Sequence, residues 1–573
     1  MKKLIKNGFI VDGSGNPGYK ADVLLNGGII EKIAETIEED GAEIINAEGL
    51  VVAPGFIDTH SHSDLQVLVE PEVAPKVLQG ITTEILGQDG ISMAPLPKEY
   101  VSPWRKNLAG LDGDSDLIDW NYETTENYLQ MIDDVKPGLN ECYLVPHGNI
   151  RMEAMGLENR LPNDEELERM CAVTRREMEA GAVGLSTGLI YMPCAYSESR
   201  EIIEMCKVVA EYDGLFVIHQ RSEADTILDS MEEVIKIGRE SGVRIHYSHF
   251  KVCGKKNWDK VDKVIELLEE AKKEGIRVSF DQYPYVAGST MLGVILPPWV
   301  HDGGTDKVLE RLADPELRKK MVYDIEHGIP GWDNFVEFAG LDQIFVTSVK
   351  TEKNQDAIGL NLIELGKLRG KDPYEATFDL LFEEENAVGM VDFYGTEEHV
   401  IRIMKRPEMN ACTDGLLGGK PHPRVYGAFP RILGKYVREE KALTLEEAVY
   451  KMTKKPAVTF NMTGRGEVKA GYCADLCIFN PDTVIDKGTF VDPVQYPEGI
   501  EYVIIGGELT VENGKHTGKR NGAVLRKKGK EVIIMLKKKL VQVTAAAMAA
   551  TMLFSVPAMA KKNFFSFNVK TSV

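Results

Sequence analysis

Residues 53–64 read Ala-Pro-Gly-Phe-Ile-Asp-Thr-His-Ser-His-Ser-Asp and follow the apolar run Leu50-Val51-Val52. Alternate side chains of a β-strand point to the same face, so His60 and His62 converge on one point. Imidazole is the commonest protein ligand for zinc-like metal ions. The stretch therefore predicts a short buried strand whose carboxyl end carries half of a metal site.

Further apolar runs along the chain alternate with helical patterns such as residues 261–273, which is typical of a parallel α/β architecture. Together with the first stretch, the candidate strands are 55–60, 82–88, 142–147, 182–187, 215–220, 244–250, 277–283 and 409–414. Eight strand–helix units predict an α/β fold, a (β/α)8 TIM-like barrel. In such barrels the active residues lie at the carboxyl ends of the strands.

Two segments outside the barrel pattern call for separate interpretation. Short strand-like runs with Asn-Gly and Asp-Gly turns occur near both chain ends, so we expect residues 1–53 and 465–525 to form a composite β domain. Residues 54–464 then hold the barrel. The span 287–385, between the last two candidate strands, is too long for a loop, and we interpret it as an inserted lid subdomain.

The composition is that of an ordinary globular protein of 573 residues with a net charge of −22. This acidic balance argues against a nucleic-acid partner, since nucleic-acid binding needs clustered Lys and Arg. The eight cysteines show no disulfide or zinc-finger spacing, and no apolar export segment follows Met1. We therefore expect a cytoplasmic protein whose folded body does not bind membranes, and its oligomeric state stays open.

Residues 535–573 differ from the rest of the chain. Lys537, Lys538 and Lys539 precede a mostly small or apolar stretch and then Ala558-Met559-Ala560. This is the layout of a secretory signal peptide, at the wrong end of the chain for that role. We interpret the tail as a read-through or fusion artefact, with a tail anchor as the alternative.

Histidines and carboxylates recur at the candidate strand ends. His219 ends one apolar strand and His249 ends the next, where alternation turns His246 to the opposite face. Asp89 follows the second candidate strand, and Asp414 ends the last. Four histidines converging on one rim predict a metal site. A carboxylate there, Asp414, suits general acid and base catalysis beside a metal-activated water.

The chain resembles the amidohydrolase superfamily in its Pro-Gly-Phe-Ile-Asp-x-His-x-His run, its single histidines after two later strands and its late Asp. Residues 184–191, 248–251, 281–290 and 421–431 are similar to stretches of the N-acyl-D-amino-acid deacylases, or D-aminoacylases. The resemblance covers about residues 1–525. It implies a zinc enzyme, with one or two ions, that removes the N-acyl group from a small-molecule N-acyl-D-amino acid.

The resemblance also implies roles for individual residues. The family usually has a cysteine ligand after the second strand, where this chain has Asp89, a harder ligand that can bind or bridge metal. His219, His249 and Asp89 would hold the principal ion. His60 and His62 would complete the site or hold a second ion. The implied substrate-binding residues are Lys251, Tyr283, Arg424, Tyr191 and Ser289.

Two alternative functions stay open at this stage. One is a cyclic-amide hydrolase of the dihydroorotase or hydantoinase kind, or a dipeptidase, on the same scaffold. The cyclic-amide enzymes typically bridge two metals with a carboxylated lysine, and residues 185–188, Leu-Ser-Thr-Gly, contain none. The other is a catalytically inactive scaffold, against which the presence of every histidine ligand and Asp414 argues.

Overall fold

The computed structural model describes residues 2–527, and the predicted signal-peptide-like tail at 535–573 lies outside them. The strands are β1 (Lys2–Ile10), β2 (Tyr19–Asn26), β3 (Ile29–Ala34), β4 (Glu43–Asn46), β5 (Val51–Pro54), β6 (Phe56–Asp58), β7 (Ser61–His62), β8 (Ile81–Leu86), β9 (Asn140–Pro146), β10 (Gly184–Gly188), β11 (Leu215–His219), β12 (Arg244–Tyr247), β13 (Val278–Gln282), β14 (Ala287–Met291), β15 (Ile344–Val349), β16 (Val388–Phe393), β17 (Met409–Ala411), β18 (Gly415–Leu416), β19 (Leu476–Phe479), β20 (Ile500–Ile505), β21 (Glu508–Glu512) and β22 (Lys515–His516). The α-helices are α1 (Gln66–Val69), α2 (Ala74–Val77), α3 (Val101–Leu108), α4 (Thr125–Val135), α5 (His147–Met155), α6 (Asp164–Glu179), α7 (Ser199–Glu211), α8 (Ile227–Ser241), α9 (Val261–Lys273), α10 (Thr305–Leu312), α11 (Pro315–His327), α12 (Phe335–Phe338), α13 (Leu362–Arg369), α14 (Pro373–Glu383), α15 (Glu397–Met404), α16 (Arg424–Arg431), α17 (Leu445–Met452) and α18 (Lys454–Thr459).

Eight parallel strands form the barrel, in the order β17-β13-β12-β11-β10-β9-β8-β6. The last and first strands meet where Asp414 N donates to His60 O at 2.8 Å and where β18 pairs in parallel with β7. Each of the eight predicted strands overlaps one of these strands. The predicted (β/α)8 barrel is therefore confirmed.

Burial on both faces explains why the barrel strands read as apolar runs. Every residue of β11, Leu-Phe-Val-Ile-His, is buried. The outer faces of the strands pack under amphipathic helices such as α8, which buries Met231, Val234 and Ile237. The helices leave the carboxyl ends of the strands uncovered, so polar side chains there meet at one rim.

A nine-stranded sheet combines strands from both ends of the described chain, in the order β22-β21-β20-β19-β5-β1-β2-β3, with β4 beside β1. The two sets join where β5 pairs antiparallel with β19, Val52 opposite Ile478. The rings of Phe56 and Phe479 lie 6.2 Å apart, so the apolar core runs on into the barrel. A separate β sheet is thus present, and its exact domain boundaries stay a prediction.

The segment between β13 and β17 contains the antiparallel sheet β14-β16-β15 together with α10 to α15. Strand β16 ends at Phe393, beyond the predicted limit of 385, because it pairs along its length with both β14 and β15. Ser289 of β14 and Asp392 of β16 line the same pocket as His249. The inserted sheet therefore forms one wall over the carboxyl end of the barrel.

Among the helices of residues 2–527, none combines the length and the apolar character that a bilayer crossing requires.

Candidate active site and metal centre

The structure brings the predicted histidines and carboxylates together at the carboxyl end of the barrel. They are His60 and His62 just beyond β6, Asp89 beyond β8, His219 at the end of β11, His249 beyond β12 and Asp414 beyond β17. All are at least 95% buried. The ring of His246, on β12, contacts Ser279 and Asp281, and the face on which it lies stays a prediction.

Asp89 lies between His249 and the two histidines of the first strand. Its Oδ2 is 3.7 Å from His60 Nε2 and 3.6 Å from His62 Nε2, and its Oδ1 is 3.8 Å from His249 Nε2. Ligand atoms in a tetrahedral zinc site are about 3.4 Å apart when each lies about 2.1 Å from the ion. The observed separations match that spacing, and the two carboxylate oxygens face different donor sets, as a bridging ligand requires.

Unpartnered donors support a metal at this position. Both ring nitrogens of His60 and Oδ1 of Asp89 are buried without a hydrogen-bond partner among the described residues. Buried polar atoms are otherwise nearly always satisfied, because an unsatisfied one costs free energy. The donor set of imidazole and carboxylate suits zinc and similar divalent ions, so the residues present fit a metal centre.

Backbone strain occurs at three of these residues. Asp89, His249 and Asp414 have φ angles of 55°, 34° and 50°, in the left-handed region that side chains other than glycine rarely adopt. Such conformations cost of order 1–3 kcal/mol each and cluster at functional sites. They turn the three side chains from their strands toward the common centre.

Glu223 joins the site, although no sequence pattern predicts a role for it. Its carboxylate is 3.1 Å from His249 Nδ1, 3.7 Å from His219 Nε2 and 2.7 Å from Lys251 Nζ. Burial opposes ionisation, but Lys251, His219 and His249 lower the pKa of Glu223 to about 2. Glu223 lies in a loop four residues after His219, where no sequence periodicity indicates the direction of a side chain.

Asp414 is the carboxylate nearest the two histidines of the first strand. Its Oδ1 is 3.6 Å from His60 Nε2 and 3.4 Å from His62 Nε2, and its Oδ2 is 2.9 Å from Arg424 Nη1. Burial raises its pKa, but Arg424 and the histidines outweigh burial and hold that pKa far below the ordinary value. Asp414 is therefore ionised at neutral pH and can accept a proton.

The predicted substrate-binding residues surround this centre, but most already have partners. Lys251 binds Glu223, and Tyr283 Oη lies 2.7 Å from Tyr394 Oη. Tyr191 Oη lies 2.8 Å from Thr290 Oγ1, and Ser289 Oγ donates to Met390 O. Arg424 is fully buried, pairs with Asp414 and donates to Ser289 O. Their substrate contacts stay a prediction.

Known proteins are similar to this chain over most of its length. A model described as the amidohydrolase family matches residues 43–295 and 413–511. A D-aminoacylase from Alcaligenes xylosoxydans xylosoxydans is 34% identical, covering 91% of this chain and 97% of the relative. The N-acyl-D-glutamate deacylase of the same organism is 33% identical over 88% of this chain and 92% of the relative.

Solved structures give the same result. An N-acyl-D-glutamate deacylase from Bordetella bronchiseptica, complexed with zinc and a phosphonate inhibitor, superposes with a TM-score of 0.77 at 32% identity, covering 91% of this chain and 99% of that one. A D-aminoacylase described with a binuclear metal centre has a TM-score of 0.76 at 32% identity over the same shares. The chain belongs to the amidohydrolase family. The predicted resemblance to the N-acyl-D-amino-acid deacylases within that family is confirmed.

Two further buried carboxylates, Asp281 and Asp112, lie next to the histidines of this amidohydrolase. Asp281 Oδ1 accepts a hydrogen bond from His249 N at 2.5 Å, and its Oδ2 is 3.8 Å from His60 Nδ1. Asp112 Oδ1 lies 3.3 Å from His62 Nδ1. Burial disfavours the charged ring, but Asp112, Asp414 and Asp89 together raise the pKa of His62 well above its usual value. Such partners fix the ring orientation of metal-binding histidines.

A cavity of about 410 Å³ adjoins the amidohydrolase centre. Ile190, Tyr191, Asp333 and Phe335 line both this cavity and the smaller pocket around the histidines. The cavity is mostly apolar, and its cation Arg221 is ion-paired with Glu233 at 3.0 Å. The site thus offers a polar chamber at the metal centre and a larger apolar chamber beside it.

Proposed function

We propose that this amidohydrolase hydrolyses N-acyl-D-amino acids to a carboxylate and the free D-amino acid. The reaction uses one or two zinc ions. The observation that carries the proposal is the position of ionised Asp414, 3.4 to 3.6 Å from two histidines of the candidate metal centre. The 34% identity to a D-aminoacylase across 91% of the chain supports the choice of substrate.

In this proposal His219, His249 and Asp89 hold the principal ion, and His60 and His62 complete the site or hold a second ion. Glu223 orients His249 through the 3.1 Å contact at Nδ1. A zinc ion held there supplies Lewis-acid activation of the attacking water and of the acyl carbonyl. Asp112 keeps the ring of His62 in place from outside, and Asp281 holds the backbone of His249.

Asp414 moves the proton. As a carboxylate it accepts a proton from the attacking water while the oxygen bonds to the acyl carbon. It then gives that proton to the amide nitrogen as the C–N bond breaks, so the amine leaves neutral. Arg424, 2.9 Å from Oδ2, keeps the carboxylate ionised and fixes its direction.

The chain's remaining polar groups orient the substrate. Lys251 and Tyr283 are proposed to bind the α-carboxylate, with Ser289 and Tyr191 contacting neighbouring groups. Arg424 contributes positive charge, with its guanidinium 4.4 Å from the centre of the Tyr283 ring. The apolar cavity beside the metal centre leaves room for an acyl chain or for an apolar side chain.

The proposal is tested on the purified chain supplied with zinc. One assay measures acetate release from N-acetyl-D-methionine and from N-acetyl-L-methionine, and a second measures ring opening of hydantoin. We expect hydrolysis of the D-substrate, at least about tenfold slower hydrolysis of the L-substrate and no hydantoin opening. Asp414→Asn serves as the inactive control. Hydantoin opening without acetate release would identify a cyclic-amide hydrolase instead.

A further inference from the structure

Asp392 is a buried acid at the wall of the active-site pocket that has no part in the chemistry described above. It lies on β16, is 2% exposed and pairs in register with Gly288 of β14. It lines the same pocket as His249, Lys251 and Asp414. The inserted sheet therefore carries a carboxyl group into the chamber where the substrate is proposed to bind.

One oxygen of the Asp392 carboxyl group lacks a partner within the described part of the chain. Its Oδ2 is buried and has no hydrogen-bond donor. The two nearby cations are engaged elsewhere, Lys251 with Glu223 and Arg424 with Asp414. Burial raises the pKa of Asp392 to about 7, although the charges of Lys251 and Arg424 offset part of this effect.

Gly288 keeps the space in front of Asp392 open. A Cβ atom at residue 288 would lie 3.2 Å from Asp392 Oδ1 and 3.1 Å from the Tyr394 ring. The hydroxyl of Tyr283 would be 3.6 Å from the same point. The absence of that side chain leaves a small polar recess bounded by one unpaired acid and two tyrosines.

We propose that Asp392 determines substrate specificity by accepting a hydrogen bond from a donor on the substrate's side chain, such as an amide N–H, a hydroxyl or an ammonium group. This proposal rests on the proposed function and names the substrates within it. At pH 8, where Asp392 is mostly ionised, a side chain that carries a second carboxylate is disfavoured, because like charges repel strongly in a buried site. A donor, in contrast, satisfies an oxygen that is unpartnered without substrate.

Asp392 is separate from the candidate metal ligands and from the support of the fold. The groups of residues that can hold a metal do not include it. Strand β16 is held by backbone pairing with β14 and β15, which the side chain of residue 392 does not affect. A substitution that keeps the shape, Asp392→Asn, is therefore compatible with the fold.

The test compares N-acetyl-D-glutamine with N-acetyl-D-glutamate. Their side chains have the same shape, but the first ends in a hydrogen-bond donor and the second in a negative charge. N-acetyl-D-methionine is added because its side chain is neutral and has no donor. We expect the kcat/KM of the wild type to be about tenfold or more higher for N-acetyl-D-glutamine than for N-acetyl-D-glutamate. Asp392→Asn makes this ratio smaller by raising kcat/KM for N-acetyl-D-glutamate. Asp392→Leu lowers kcat/KM for N-acetyl-D-glutamine relative to that for N-acetyl-D-methionine. Asp342→Asn, at an exposed acid of the insertion, is the control. It leaves unchanged the kcat/KM for N-acetyl-D-glutamine relative to that for the glutamate compound and relative to that for the methionine compound.

Calorimetric binding to Asp414→Asn separates this proposal from the proposed function. Tighter binding of the glutamine compound than of the glutamate compound, lost on adding Asp392→Asn, supports the role of Asp392 even if the wild type hydrolyses neither. In that case the proposed function fails and the specificity proposal stands. Equal binding and equal kcat/KM of the two compounds, with and without the substitution, overturn the specificity proposal.

Discussion

Lys76 Nζ lies 2.8 Å from Asp58 Oδ2, and both side chains are completely buried next to the segment that carries His60 and His62. Asp58 also accepts hydrogen bonds from Thr413 N at 2.7 Å and from Thr413 Oγ1 at 2.6 Å. Residue 58 ends the first barrel strand, and residue 413 follows the last. The Lys76–Asp58 pair therefore fastens the two strands at the point where His60 and Asp414 emerge.

Lys76→Met is expected to lower the free energy of unfolding by about 3–5 kcal/mol, because Asp58 and Glu84 lose the cation that compensates their burial. Urea unfolding followed by circular dichroism measures the change. Lys98→Met breaks an exposed ion pair with Glu123 and serves as the matched control, with an unchanged midpoint. An unchanged midpoint for Lys76→Met would show that the buried network does not stabilise the fold.

Asp414→Asn is expected to lower kcat by about 10²–10⁴-fold, because the amide cannot accept the proton from the attacking water. The metal content should stay at the wild-type level, since the histidines and Asp89 are intact. Steady-state kinetics and plasma emission spectroscopy provide the two measurements. Turnover at the wild-type rate with normal metal content would remove Asp414 from the acid–base role.

Asp89→Ala is expected to lose most of the bound metal, since Asp89 faces both histidine sets with separate oxygens. Asp89→Cys should retain metal and shift the preference from manganese toward zinc, because a thiolate is a softer ligand. Metal content after dialysis against equal concentrations of both ions gives the answer. Wild-type metal content in Asp89→Ala contradicts the ligand assignment.

The stability of the wild type should depend on the ionisation of Asp392. Burial raises its pKa to about 7 in the folded protein, above the ordinary value of 3.8. The folded state then binds the proton more tightly, so this group's contribution to stability falls as pH rises from about 4 to about 7. Asp392→Asn should therefore raise the melting temperature relative to the wild type at pH 8 but not at pH 4. If the difference in melting temperature between Asp392→Asn and the wild type is the same at every pH in this range, the pKa of Asp392 is not raised in the folded protein.

The sequence was sufficient for the barrel because its signal is local. Each barrel strand is buried on both faces, so it reads as a short apolar run such as Leu215–Ile218, and the polar residue that ends the run marks the rim. His60, His62, His219 and His249 were found in this way. Asp89 required family resemblance to be assigned as a ligand, because an aspartate after a strand also suits an ordinary turn.

Other parts of the site were beyond sequence reasoning. Glu223 lies in a loop, where no periodicity gives side-chain direction, and its role depends on contacts with His249 and Lys251. Asp392 comes from the inserted sheet, which the sequence analysis interpreted only as a lid ending at 385. The pairing of Arg424 with Asp414 joins residues from the last strand and the following helix, and strand patterns do not report on such distances.

By itself, the amino-acid sequence determined the order of the barrel strands along the chain and the residue types at their carboxyl ends, since both follow from short apolar runs and the polar residues that end them. Only the tertiary structure decided which carboxylates face which histidines, that Lys76 joins the first strand to the last, and that Asp392 enters the pocket with one oxygen unpartnered. These relationships depend on contacts between residues up to several hundred positions apart. Such contacts are fixed by packing and burial in three dimensions, which local sequence patterns do not encode.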